Sequence, residues 1–392
     1  MYFHGEVVTP FTEAHRRRVA GVACEIARRL NVAVDSVWKA AFYHDGLSSI
    51  ASRSLERLLS DVSGRNPAPG PPRNEPPADP FVTAIADVAH AFELRLAFAP
   101  YEPPTASGIL DDIAALGFDS TVVGALRSIG ISETPPPSQL AVYPTALFKA
   151  LALLRNEAVS LADLERIVHS DQVMSSSLLS VANTAFYAPD KPIKAAGRAI
   201  AHIGLDAAKK VIVAAAARPL FASAQLRGLW RHSVDVAAIA ERLARKTGKA
   251  DTAEAFAAGL IHDIGRLAIE LLPQGTVEAY HRIAEEGQCL ILADMAVLGC
   301  DHGEYGARVI EQWALPEELV SAVGLHHRPE LSDTTMPRLL FLAEFVSQSD
   351  EDIPSIARLK IAMDALVVAS VGELFERNAF DRGFASALAL AG

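Results

Sequence analysis

From Leu140 onward, apolar residues return at i, i+3 and i+4 in one segment after another, and no stretch alternates apolar with polar residues long enough to make a strand. That rhythm leaves one fold class open, an all-α array. It predicts helices over 143–155, 160–169, 171–182, 193–202 and 205–217. Beyond Arg218-Pro219 it predicts 228–247, 251–262, 264–271, 275–286, 289–297, 301–313, 316–325, 334–347 and 353–376. No heptad persists, so the helices pack as a globular array and not as a coiled coil. Abundant Ala and only 7% aromatic residues suit close helix packing.

The N-terminal third reads differently. Residues 12–30 form an amphipathic helix that Thr12 can cap, with Val19, Val22, Ile26 and Leu30 on one face and His15 one turn before Val19. A second helix starts at Asp35 or Ser36, runs to His44-Asp45 and ends at Gly46. Residues 64–80 hold seven prolines, a density no helix or central strand survives. That stretch is expected to be an extended linker or a replacement loop. Helices resume at 81–96 and 106–129, and ETPPPS at 133–138 breaks the chain again. These breaks divide the 392 residues into 1–132 (with the Pro-rich insert 64–80), 139–222, and 223–392.

Composition removes several function classes. A net charge of −11 argues against a general nucleic-acid binder, which needs a basic face to displace counterions. No basic-aromatic stripe offers a stacking platform either. The run Arg16, Arg17, Arg18 reads as a solvated face unless neighbouring groups converge on it. Cys24, Cys289 and Cys300 lack CxxC spacing and suit a reduced, cytoplasmic setting. Neither a secretory leader nor an apolar run of about 18 residues is evident, so no membrane association is expected. The glycines near 203–206, 259, 265 and 299 lack phosphate-loop spacing. Asn183-Thr184 is expected to cap and turn a helix rather than to catalyse.

The chemistry concentrates between Trp230 and His327. His232 shares a helix face with Val236, Ile239 and Leu243 and so points inward. His262-Asp263 closes an apolar helix, His302 opens another, and His326-His327 closes a third. A buried Asp beside a buried His is costly unless the pair is compensated or ligates a cation. Several imidazoles and a carboxylate converging from separate helices would suit a first-row divalent metal such as Fe or Mn. The carboxylate could bridge two ions about 3.5–4 Å apart, a spacing that serves water activation and phosphodiester binding.

The stretches YPTALFKALALL, LADLERIVHSDQVMSSSLLSVANTAFY and IKAAGRAIAHIGLDAAKKVIV resemble the first lobe of an HDOD domain. RHSVDVAAIAERLA, AAGLIHDIGRLAI and LGCDHGEYGARVIEQWALPEELVSAVGLHHRPE resemble its second lobe, for a resemblance over roughly 140–350. It implies an all-α HD-like array and a regulatory role in bacterial signalling, exercised by binding a protein partner or a small phosphate-containing effector. HDOD domains resemble HD-type metallophosphohydrolases but have themselves usually lost the ligands. This chain instead keeps His232, His262, Asp263, His302, His326 and His327. Relative to active HD-GYP phosphodiesterases, Arg266 stands where a Lys is expected, Arg328-Pro329-Glu330 follows His327 in place of Gly-Tyr-Pro, and Glu344 replaces the last Asp ligand. Arg266 keeps the charge for a phosphate contact but is a poor proton donor. The alternative implied is a metal-dependent phosphohydrolase or phosphodiesterase acting on a nucleotide or cyclic dinucleotide, in the setting of cyclic di-GMP signalling.

The N-terminal unit resembles a truncated HD-GYP or HD domain, through HRRRVAGVACEIARRL, AAFYHD, IADVAHAFELRLAFAPYEPP and DSTVVGALRSI. The resemblance implies a second, weaker site of His15, His44, Asp45 and Asp87, with the Pro-rich segment where three further His and the GYP motif belong and Gly46-Leu47-Ser48 in place of Ile-Gly-Lys. The unit would then be a regulatory or dimerising lobe, and a homodimer is compatible with it.

Overall fold

In the computed structural model of the chain, the residues described are 13–43, 79–97, 105–130, 134–140, 145–156, 158–223, 226–347, 362–368 and 379–390. All regular elements among them are helical, as the periodicity requires. The first are α1 (Glu13–Arg29), α2 (Val34–Phe42), α3 (Pro80–Ala97), α4 (Ala106–Ala115), α5 (Ser120–Arg127) and α6 (Thr145–Arg155). Next come α7 (Leu161–Ser170), α8 (Gln172–Ala182), α9 (Ala196–Ile203), α10 (Leu205–Ala217), α11 (Arg227–Thr247) and α12 (Thr252–Ile261). The last are α13 (Gln274–Gly287), α14 (Leu290–Val297), α15 (His302–Gln312), α16 (Glu317–Leu325), α17 (Thr335–Ser347) and α18 (Ala379–Leu390). No helix among the described residues is long and apolar enough to cross a membrane. The Pro-rich stretch 64–80, apart from its last two residues, lies outside the described residues, as do Thr12, His44, Asp45, Gly46 and most of 353–376.

Local chemistry sets the element ends. The helix expected over 106–129 is two helices. Gly117 adopts φ +83°, a left-handed conformation that costs other residues more, and Asp119 then accepts from the Thr121 and Val122 amides to start α5. Ser160 and Asp163 form a reciprocal capping box on α7, and Asp171 and Asp251 cap α8 and α12. The segment Ile264–Leu271 is helical with the tighter 3₁₀ pitch. Asn183 holds the turn after α8: its amide donates to the Leu179 and Ile193 carbonyls, and its Oδ1 accepts from the Ile193 amide at 2.7 Å.

The chain groups into two compact units. One comprises 1–136 and 268–302, and the other comprises 137–267 and 303–392. In the first, α1 packs on α2, α3, α5 and α13. Its apolar stripe Val19, Val22 and Ile26 is fully buried, and Ile85, Val88 and Phe92 of α3 add to the core. Glu25, buried on α1, accepts two hydrogen bonds of 2.9 Å from Arg282 of α13, and Arg28 pairs with Glu286. Carboxylates this deep are tolerable because guanidinium forks satisfy them.

The second unit is organised around α11. It packs most extensively on α12 and also on α17 and α18. The α11–α12 contact depends on Gly259, where a Cβ would lie 2.6 Å from Ala237 Cα. The two backbones approach closely there, which brings the N-terminal half of α11 beside the C-terminal end of α12. Helices α6 to α10 form a second layer, with α10 contacting α6 and α8, and α9 contacting α7 and α8.

Candidate metal centre

The second unit gathers six of the side chains singled out from sequence. His232 lies on α11, five residues before Ala237, which faces Gly259. His262 and Asp263 follow α12, His326 and His327 follow α16, and Glu344 lies on α17. One ligand atom each of His232, His262 and Glu344 lie within 4.8 Å of one another, and so do one each of Asp263, His326 and His327. Asp263 joins the two groups. Its Oδ1 lies 3.3 Å from His262 Nε2 and 3.7 Å from His326 Nε2, and its Oδ2 lies 3.9 Å from His232 Nε2. His262, Asp263, His326 and Glu344 are buried, whereas His232 and His327 reach partway to solvent.

Two backbone carbonyls decide how the buried imidazoles face. His262 Nδ1 lies 2.8 Å from the Gly259 oxygen, and His326 Nδ1 lies 2.6 Å from the Val323 oxygen. A carbonyl only accepts, so each ring carries its proton on Nδ1. A neutral ring then presents its Nε2 lone pair to the interior of the cluster. For His262 that lone pair faces Glu344 Oε2 at 2.8 Å and Asp263 Oδ1 at 3.3 Å. Lone pairs of an imidazole and two carboxylates repel unless a cation lies among them or the ring takes a second proton. Fixing the tautomer through the distal nitrogen is the arrangement that metal-ligating histidines use. The donor set, imidazole nitrogens and carboxylate oxygens with no thiolate, suits Fe, Mn or Zn. The residues present therefore fit a divalent metal.

The electrostatics show how strongly the carboxylates draw positive charge, from an imidazolium or from an ion. Burial alone would push Glu344 up, yet the imidazoles of His232 and His262 outweigh it and hold its carboxyl well below the usual range. Burial would lower His232, but Glu344 and then Asp263 push it up to about 9. Arg266 Nη1 lies 3.3 Å from Asp263 Oδ2, so the residue expected to contact phosphate faces the shared carboxylate.

His302, the seventh residue singled out, is the last residue of the first unit, where its Nδ1 lies 2.5 Å from Asp294 Oδ2. Sequence reading missed Asp294; its signal was a lone acid in the apolar helix LILADMAV.

Of the weaker N-terminal set, His44 and Asp45 lie outside the described residues. His15 and Asp87 are both buried. His15 Nδ1 lies 2.8 Å from Glu93 Oε2, and its ring lies 4.8 Å from that of His90. Glu93 also accepts from Arg18 at 2.7 Å. Burial would raise Glu93; His15 and Arg18 outweigh it and lower it. Glu93 and His90 were not singled out, although they follow Asp87 at helical spacing in ADVAHAFE. Arg17 pairs with Glu13 and Arg18 with Glu93, so the Arg16–Arg18 run is largely neutralised.

Comparison with known proteins gives residues 140–329, which belong to both units, a family context. Residues 140–329 match the HDOD domain. The HDOD match includes His232, His262, Asp263, His302, His326 and His327 and stops before Glu344. An HDOD domain protein of unknown function from Geobacter sulfurreducens superposes with a TM-score of 0.50 at 22% identity, over 69% of this chain and 90% of that one. A Shewanella amazonensis SB2B protein named as a phosphohydrolase gives 0.51 at 21% identity, over 65% of this chain and 96% of that one. A Marinobacter aquaeolei VT8 protein named for signal transduction gives 0.51 at 20% identity, over 68% and 60%. At these identities the likeness is one of fold. An uncharacterized protein of Treponema pallidum (strain Nichols) is 23% identical over 188 residues, which cover 47% of this chain and 37% of that protein.

Proposed function

We propose that this chain is a signalling protein whose HDOD segment holds a divalent transition metal and responds to a phosphate-containing effector or a protein partner. One observation supports the reading above all others: His232, His262, Asp263, His326, His327 and Glu344 converge, and Asp263, a member of one ligand group, lies 3.3 Å from His262 and 3.9 Å from His232 of the other. His262 and His326 would be the fixed ligands, since backbone carbonyls orient them. His232 and His327, partly exposed, would be where an effector meets the site. The N-terminal helices would serve as a regulatory lobe. Elemental analysis of protein purified without chelators, and again after stripping and reloading with Mn²⁺ or Fe²⁺, tests the site. Stoichiometric metal is expected; a chain that takes up none from either ion overturns the proposal.

A second reading is a phosphohydrolase or phosphodiesterase acting on a nucleotide or cyclic dinucleotide. The shared position of Asp263 favours it, because a carboxylate between two ligand groups suits a two-ion site. A bound ion pair would supply Lewis-acid activation of water and of phosphoryl oxygens. The chain's own contribution would be to hold the ligands through the Gly259 and Val323 carbonyls and to present Arg266 to the substrate's charge once Asp263 is engaged. Hydrolysis of bis-p-nitrophenyl phosphate and of cyclic dinucleotides by the metal-loaded chain, lost in His326→Ala, separates this reading from the first. Stoichiometric metal without turnover leaves the regulatory reading.

A further inference from the structure

On the far side of α11 from His232 lies a small cavity lined by Ser177, Arg218 and Trp230, with Val211, Ala214, Ala215 and Leu388 as apolar wall. Trp230 precedes His232 by two residues, so helical geometry turns the two side chains about 160° apart. Arg218 follows the last turn of α10, and its guanidinium carbon sits 5.9 Å from the centre of the Trp230 ring. Arg218 Nη1 and Trp230 Nε1 are both buried, and neither has a hydrogen-bond acceptor. Trp230 is only 7% exposed. No carboxylate among the described residues pairs with Arg218.

Two buried donors without an acceptor are costly, and more so when one belongs to a cation. The cavity has a volume of about 10 Å³, at the threshold for a single water-sized atom. A water there would accept from both donors, but among the lining side chains only the Ser177 hydroxyl could accept its hydrogens. It would also bring no negative charge to the guanidinium, which is only partly buried. An anionic atom accepts from both donors, needs no acceptor in return, and neutralises Arg218. The apolar wall then strengthens the interaction by excluding solvent.

We propose that this cavity binds a small anion through one acceptor atom, with Arg218 and Trp230 as donors and Ser177 as a third contact. The atom is either a halide or one oxygen of a carboxylate or phosphate that reaches in from solvent. The site is separate from the candidate metal centre and does not depend on it.

Thermal unfolding of the full chain in sodium chloride, sodium acetate and sodium phosphate tests the proposal, because a ligand that binds the folded state raises the midpoint with its concentration. Trp230→Phe keeps the ring and removes the donor; Arg218→Gln removes the charge. Each is expected to need about tenfold more anion, or beyond, for the same rise. Arg218→Lys is expected to recover part of the response. Arg231→Gln removes an exposed positive charge from the same helix and is expected to respond like the unaltered chain. A response to chloride identifies a halide, and a response to acetate or phosphate alone identifies an oxyanion. No anion-dependent rise in the unaltered chain, or equal rises in it and in both Trp230→Phe and Arg218→Gln, overturns the proposal.

Discussion

Arg282 grips Glu25 with two hydrogen bonds of 2.9 Å across 257 positions of sequence. Glu25 is 1% exposed, and this fork is its shortest pairing. The Arg282–Glu25 fork thus ties α1 to α13 and makes a late segment part of the N-terminal unit.

Arg282→Met should therefore destabilise the first unit. Because Arg282 is about one-third exposed and Arg28 remains near Glu25, the cost is expected at about 1–2 kcal/mol, below that of breaking a fully buried pair. Urea unfolding of Arg282→Met, Glu25→Gln and the double variant should give a coupling near 1 kcal/mol. Additive losses would mean the fork contributes no pairwise stability.

Gly259→Val is expected to cost about 3 kcal/mol or more, because its side chain would meet the Ala237 backbone and not a movable side-chain end. The same change should spread His232 from His262. Calorimetry and metal content read the two effects separately. An unchanged melting temperature would contradict the close approach.

Removing ligands should strip metal. His262→Ala with Asp263→Ala, or His326→Ala alone, is expected to lower bound metal at least tenfold by elemental analysis. Full retention in all variants would show that the ion is held elsewhere.

Acid should act on the first unit through Glu93. Its carboxyl is lowered by His15 and Arg18 despite burial. A group lowered in the folded state contributes stability that is fully present above the unfolded value of about 4.3 and is lost as pH falls through the folded value. Glu93→Gln should be less stable near neutrality and lose less on acidification. Parallel acid-unfolding curves for the two proteins would exclude this linkage.

Asp119→Ala should cost about 1 kcal/mol by freeing the Thr121 and Val122 amides, measurable by denaturant unfolding. A smaller loss is expected for Asp119→Asn, which keeps an acceptor.

Much of the helical architecture was legible because each helix carries its own record. The stripe of α1 is local, and local periodicity finds it; the caps Asp171 and Asp251 sit at the starts of helices expected over 171–182 and 251–262. The split at Gly117 was missed because ILDDIAALGF and STVVGALR continue a single apolar rhythm across a residue whose backbone turns. In the candidate site, the imidazoles and Asp263 stood out as rare polar groups at the ends of apolar helices. Glu93, His90 and Asp294 did not, since their significance lies in partners that only packing supplies. The joining of α13 to α1 has no local signature either: amphipathic helices such as QGTVEAYHRIAEEG look alike whichever neighbour buries them.

Residues 268–302 fall inside the HDOD match yet complete the core of the N-terminal unit. A truncation ending at residue 136 would leave the α13-facing stripe of α1 bare, and an isolated 140–329 fragment would carry α13 without the helix it covers. Gene fusions or expression boundaries drawn at the edges of the HDOD segment would cut through the hydrophobic interior that 1–136 and 268–302 build together.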